Sequence, residues 1–203
     1  MTKIKLCGMM RSQDIDYVNE LLPDYAGFIL VQGLRRSIKP ELAYEFSSKL
    51  DKRIKAVGVF IDDDLDYVTR FVKDGVIDIV QLHGKEDSDY IAKLRAIVKC
   101  PVIKAFKIQS NEDIEAAIQC SADYCLLDSG TGTGKTFDHS LIKGIDREYF
   151  LAGGISADNV NEAIDTYKPF AVDVSSALEV DGYKNFDKMK EFVDAVRHGQ
   201  NGE

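Results

Sequence analysis

Short apolar runs, rich in β-branched and aromatic side chains, recur at residues 4–7, 26–31, 56–61, 77–82, 102–106, 124–128, 149–153 and 171–174. Successive runs start roughly 24 residues apart, which is room for a strand, a helix and two short loops. This regularity constrains the fold more than any other feature of the chain. Between the runs the apolar residues change to helical spacing. Ile15, Val18 and Leu22 follow the polar start Ser12-Gln13-Asp14, and Leu65, Val68 and Val72 follow Asp62-Asp63-Asp64. Ile91, Leu94 and Val98 form a third face, and Ile114, Ala117 and Ile118 follow Ser110-Asn111-Glu112-Asp113, which reads as a capping box. Phe186, Met189, Phe192, Val193 and Val196 form the last face, while residues 140–144 leave space for barely a turn or two. Strands apolar on both faces, alternating with one-sided helices, predict a parallel sheet covered by helices. Eight such units predict an α/β fold of the (β/α)8 TIM-barrel type. An open doubly wound sheet would show fewer units and a glycine fingerprint after its first strand, where this chain has Cys7-Gly8-Met9-Met10. At 203 residues, with no linker or shift in composition, the chain is expected to form a single domain over residues 1–203.

In such a barrel ligands sit at the C-terminal strand ends, and phosphate groups sit at the loops after the last two strands. Residues 150–179 suit that role. Leu151-Ala152 ends one run and is followed by Gly153 and Gly154, whose missing Cβ atoms let backbone N–H groups approach a ligand. Ser156 offers an oxygen to cap a helix carrying Val160, Ala163 and Ile164, and Lys168-Pro169 ends it. The next strand runs from Phe170 to Val174, and Ser175-Ser176-Ala177 turns away from it. Either turn alone reads as an ordinary tight turn; the pair, on consecutive late strands, suits a doubly charged phosphate held by small residues and free amides. The other polar strand ends are Cys7, Arg36 in the second loop, Gln81, His83, Lys104 and Asp128, with Asp173 inside the last strand. Taken singly, each also suits a structural role, as an inert buried thiol, a turn-forming aspartate or a satisfied histidine.

A net charge of −8 with no long Lys/Arg run argues against a nucleic-acid partner. The chain has neither a signal-peptide core nor an apolar span of the ~20 residues a membrane crossing needs, so a cytoplasmic protein is expected. Cys7, Cys100, Cys120 and Cys125 form no C-x-x-C pair, and His83, His139 and His198 lie far from them, so neither a disulfide framework nor a metal site is indicated. Cys100, Cys120 and Cys125 read as small buried hydrophobes. Residues 129–136, SGTGTGKT, imitate a nucleotide-binding loop, but Ser129 stands where its first glycine belongs and no long helix follows. The expectation is instead a mobile glycine-rich loop beside Asp128, able to close over a ligand.

In order, the chain carries KIKLCGM, GFIL followed by Arg35-Arg36, AVGVFI, QLHG, IKAF, LLDSGTGTGKTFDH, LAGGI and VDVSSALE. This series resembles the phosphoribosylanthranilate isomerase family of tryptophan biosynthesis over residues 3 to about 197. The resemblance implies a cofactor-free barrel enzyme that carries out an Amadori rearrangement of N-(5-phosphoribosyl)anthranilate. It implies Cys7 as general base, Asp128 as general acid and Arg36 as partner of the anthranilate carboxylate. The phosphate would lie against Gly153, Gly154, Ile155, Ser175 and Ser176, with Gln81, His83 and Asp173 as further substrate-binding positions. Gln32, Leu34 and Ala177 depart from the family pattern, in the loop before Arg36 and in the serine turn. The expected partner is this small phosphosugar substrate, with no nucleic acid and no membrane, for a monomer or homodimer. A histidine-pathway isomerase would be expected to carry an aspartate where Cys7 stands, and a non-catalytic phosphate-binding barrel could lack Cys7 or Asp128.

Overall fold

The computed structural model describes residues 1–128, 142 and 145–199. Eight parallel strands close into a barrel in sequence order: β1 (Lys3–Cys7), β2 (Tyr25–Ile29), β3 (Lys55–Phe60), β4 (Ile79–Leu82), β5 (Val102–Lys107), β6 (Tyr124–Asp128), β7 (Tyr149–Ala152) and β8 (Ala171–Val174). The register Lys5↔Asp173 between β1 and β8 closes the ring. The helices are α1 (Ser12–Leu21), α2 (Pro40–Lys49), α3 (Leu65–Lys73), α4 (Ser88–Ile97), α5 (Asn111–Gln119), α6 (Val160–Tyr167) and α7 (Phe186–Gly199). A short hairpin of β9 (Glu179–Val180) and β10 (Tyr183–Lys184) follows a 3-10 turn over Ser176–Leu178. The barrel predicted from the apolar recurrence is the fold. The glycine-rich stretch 129–136 and the short helix expected at 140–144 lie outside the described residues, apart from Ile142.

The larger apolar core lies between the strands and the helices, where Leu6, Phe28, Phe60, Val80, Phe192 and Val193 are fully buried. Inside the barrel the floor is apolar and aromatic: Tyr124 stacks on Phe170 at 4.9 Å between ring centroids, and Phe150 packs against both. Lys3 covers this floor, with its ammonium 4.9 Å from the Phe170 centroid. Above the floor the interior turns polar, with Lys5, Gln81 and Asp173 buried at positions that alternation along a strand points inward. At the floor, one device repeats. Asp24, Asp78 and Asp123 each precede an even-numbered strand and accept the first free N–H of the strand before it, from Ile4, Ala56 and Val102 at 2.8–2.9 Å. These carboxylates fix the register of alternate strand pairs, and so fix which side chains reach the mouth.

Local chemistry explains most helix limits. Ser110 and Asp113 form the expected capping box of α5. The helix α2 was not among those read from the spacing; Pro40 at its first turn and buried Ala43 and Phe46 define it. The α6 start is a correction: the helix begins at Val160 with Asn159 as its N-cap, and Ser156 contributes its carbonyl, which accepts from Val160 N at 3.0 Å, while Asn159 Oδ1 accepts from Ser156 N at 2.9 Å. Cys125 is buried as expected, but Cys100 and Cys120 are only half-buried, because each sits in a loop below the strands.

Candidate active site

All the residues expected at the site border one cavity of about 530 Å³ at the C-terminal mouth of the barrel: Cys7, Arg36, Gln81, His83, Asp128, Asp173, the Gly153-Gly154-Ile155 turn and the Ser175-Ser176 turn. Lys104 is the exception among the polar strand ends. Its ammonium donates to the Gly84 carbonyl at 2.6 Å and pairs with Glu86 at 2.9 Å, tying down the loop that carries His83. A wider hollow of about 910 Å³ lies outside the barrel, walled by Asp62, Asp63, Asp64, Asp66, Asp87 and Asp89 against Lys85 and Lys93. Its charge would repel an anionic ligand, so the mouth is the better site.

Cys7 ends β1 and is 7% exposed. Two residues earlier on the same inward face lies Lys5, fully buried, whose ammonium pairs with Asp173 Oδ2 at 2.8 Å. Burial pushes the Cys7 thiol up from its ordinary value; Lys5 and Lys184 oppose that rise and Asp173 adds to it. Burial pulls the Lys5 ammonium down, but Asp173 and Cys7 outweigh it, so Lys5 is held in its charged form. Burial likewise pushes the Asp173 carboxyl up, against the pull of Lys5. Gly27 faces Cys7 across the β1–β2 ladder, and a Cβ there would stand 2.6 Å from the Cys7 sulfur. The glycine makes room for the thiol.

Across the mouth, Asp128 ends β6, with two strands between it and β1 on the shorter way round. His83 Nε2 stands 3.8 Å from Asp128 Oδ2, and its Nδ1 lies 3.2 Å from Gln81 Nε2. A Gln81 amide that donates to Nδ1 would put the ring proton on Nε2, on the Asp128 side. Desolvation in the mouth lowers the His83 pKa, and Asp128 opposes this. Among the described residues, Gln81 Oε1 and Asp173 Oδ1 are buried acceptors with no hydrogen-bond partner. Each costs about 1–3 kcal/mol unless a ligand or water donates to it.

The opposite wall is built from the two small-residue turns, with Arg36 and Lys184 behind them. Gly153 and Gly154 both have left-handed backbone, with φ of 82° and 67°. No atom lies within 4 Å of a Cβ built on Gly154, so its backbone conformation, and not crowding, calls for glycine. Ser175 donates to the Cys7 carbonyl at 3.0 Å, and Lys184 donates to the Ser175 carbonyl at 2.8 Å. Arg36 reaches the cavity from the loop after β2, with its Nε and Nη2 on Glu179 at 2.6 and 3.2 Å.

The profile of the N-(5'-phosphoribosyl)anthranilate (PRA) isomerase family matches residues 4–195. The chain is 41% identical to the N-(5'-phosphoribosyl)anthranilate isomerase of Endomicrobium trichonymphae, over 97% of this chain and 99% of that one. This chain belongs to the phosphoribosylanthranilate isomerase family. Its fold matches the crystal structure of the Thermotoga maritima isomerase with a TM-score of 0.89, at 33% identity over 98% of this chain and 100% of that one. It also matches a phosphoribosyl anthranilate isomerase solved with reduced 1-(o-carboxyphenylamino)-1-deoxyribulose 5-phosphate, with a TM-score of 0.87 at 33% identity and the same coverage.

Four residues around the site were not among those expected from the sequence. Lys5 could have been found, as a lysine in an apolar strand two residues before Cys7 is forced onto the same face. Gly27 gave a weaker sign, as glycine inside a strand marks a close approach. Glu179 and Lys184 left none, because their two-residue strands are too short to show a period.

Proposed function

We propose that this chain converts N-(5-phosphoribosyl)anthranilate into 1-(2-carboxyphenylamino)-1-deoxyribulose 5-phosphate, an Amadori rearrangement in tryptophan biosynthesis. The observation that carries the assignment to these residues is that Cys7 and Asp128 border one cavity from non-adjacent strands, between an arginine and two small-residue turns. Asp128 gives a proton to the ribose ring oxygen as the C1′–O bond breaks and the nitrogen lone pair forms a protonated imine. Cys7, as thiolate, takes the proton from C2′, and the electron pair left behind neutralises the imine as an enolamine. Tautomerisation of the enolamine then yields the ketone. Burial raises the Cys7 thiol, but the protonated imine brings positive charge beside it and favours the thiolate. Lys5, held charged under Cys7, works in the same direction. Arg36 takes the anthranilate carboxylate, and the Gly153–Ile155 and Ser175–Ser176 turns take the phosphate.

Purified protein mixed with phosphoribosylanthranilate should remove the substrate's fluorescence, with inorganic phosphate competing. Unchanged fluorescence under conditions where the protein is folded would reject the assignment. Arg36→Met should raise KM more than it lowers kcat, because a carboxylate far from the reacting carbon is gripped alike in ground and transition states. We further propose that residues 1–203 act as one cytoplasmic domain, as monomer or homodimer. A single unfolding transition and sedimentation equilibrium check the domain and the assembly. Among the described residues no helix is long and apolar enough to cross a membrane.

A further inference from the structure

We propose that Glu179 is a positioning residue that sets both ends of the substrate-binding wall at once, the arginine for the carboxylate and the serine turn for the phosphate. The inference rests on the roles proposed above for Arg36 and Ser175. Glu179 begins the small β9–β10 hairpin, and its side chain is only 5% exposed. Its Oε1 accepts from Arg36 Nε at 2.6 Å and from Lys184 Nζ at 3.0 Å, and its Oε2 accepts from Arg36 Nη2 at 3.2 Å and from exposed Arg35. Burial alone would raise the Glu179 carboxyl, and Arg36 with Lys184 overcomes this and holds it low, as an anion.

The geometry leaves Arg36 ready for a second anion. A guanidinium has five N–H donors in a rigid plane, and Glu179 takes the Nε–Nη2 edge. The end-on fork of Nη1 and Nη2 remains, the edge that grips a carboxylate through two parallel bonds. Lys184 carries the other arm. Its fully buried ammonium is shared between Glu179, the Ser175 carbonyl at 2.8 Å and the Ser175 hydroxyl at 3.3 Å. Gly8 lies between the two arms, and a Cβ there would meet Arg36 Cδ at 2.9 Å and Ser175 Oγ at 3.2 Å. Arg36, Gly8 and Ser175 follow β2, β1 and β8, three neighbouring strands, so one carboxylate from the hairpin spans the wall and spaces its two anion contacts.

The test uses the full chain in a mutant cycle, with kcat, KM, and inhibition constants for anthranilate and for inorganic phosphate. Inhibition constants do not depend on the fraction of folded enzyme, so poor folding of a variant cannot imitate the result. Glu179→Gln keeps the shape and removes the charge. It should weaken both inhibitors about tenfold, less than the roughly thirtyfold or more lost when a directly contacting partner of a buried charge pair is removed, and leave kcat within about threefold. Arg36→Met should weaken anthranilate alone, and adding Glu179→Gln to it should weaken anthranilate no further, because Glu179 acts through Arg36. Lys184→Met should stand in the same relation to phosphate. Wild-type inhibition constants in Glu179→Gln, or losses that multiply in both double variants, would overturn the proposal. If Arg36→Met left anthranilate inhibition unchanged, the carboxylate role of Arg36 would fall and with it the two-ended claim, whereas an effect of Arg36→Met without one of Glu179→Gln would reject Glu179 alone.

Discussion

Gly27→Ala would move the proposed base without altering any group that takes part in the chemistry. A Cβ at this position stands 2.6 Å from Cys7 Sγ, 3.1 Å from Cys7 Cα and 3.2 Å from Cys7 Cβ. Carbon contacts are comfortable near 3.5–4.0 Å, so the sulfur must retreat by about 1 Å. The backbone cannot yield easily there, because Gly8 N and Met9 N both donate to the Gly27 carbonyl, at 2.9 and 3.2 Å. Overpacking of this kind costs about 1–3 kcal/mol, which a domain stable by about 5–15 kcal/mol survives. A misplacement of about 1 Å at the reacting atoms costs up to roughly a hundredfold in rate. The control is Gly58→Ala, whose Cβ would crowd Ile77 Cδ1 at 2.7 Å and Phe60 Cε2 at 2.9 Å on the core side of β3. It should lose comparable stability and keep its kcat. The assay is kcat from substrate fluorescence, with thermal unfolding of both variants. Gly27→Ala at a kcat within threefold of wild type, or equal losses of kcat in both variants, would refute the placement of Cys7 as the base.

Two further expectations concern charge. Because Cys7 acts deprotonated and its pKa is raised by burial, kcat/KM should climb with pH through a limb above the ordinary thiol value of about 8.5, and Lys5→Met should move that limb higher still; a profile flat from pH 7 to 10 would contradict both. Gly154→Ala places a side chain on left-handed backbone at about 1–2 kcal/mol and should weaken competition by inorganic phosphate, whereas an unchanged phosphate inhibition constant would remove this turn from the phosphate site.

The barrel was legible because parallel strands covered on both faces are apolar runs that need no partner to be recognised; Tyr124–Asp128 matches the expected limits residue for residue, and the last strand begins at Ala171, one residue after the Phe170 start given to it. The strand ends were legible for the same reason: a polar residue closing an apolar run, such as Cys7 or Asp128, has nowhere to go but the mouth. What could not be read was whatever depends on contacts distant in sequence. The Arg36–Glu179 pair spans 143 residues and Lys5–Asp173 spans 168, and no local pattern encodes either. The resemblance sets Arg36 against the substrate carboxylate, and the residue that orients it, Glu179, lies far along the chain and holds one of its edges. Helix α2 carries only Ala43 and Phe46 buried, as few as α4 or α5, and its start at Pro40 is the clearest local sign of it. Ser156 misled because a serine ahead of an apolar stripe has the look of an N-cap, while the three-residue turn before Val160 gives that place to Asn159.

The central claim is that Cys7 and Asp128 move the protons, and the most direct measurement is kcat at saturating substrate for Cys7→Ser and Asp128→Asn, with Cys125→Ser as the buried-thiol control. Cys7→Ser keeps the size of the side chain and replaces the thiol with a hydroxyl far harder to deprotonate. Both variants should fold and each should lose roughly 10² to 10⁴ in kcat, the range of general acid–base catalysis, with Cys125→Ser near wild type. A Cys7→Ser enzyme turning over at close to the wild-type rate while Asp128→Asn does not would contradict the account and move the search for the base to His83.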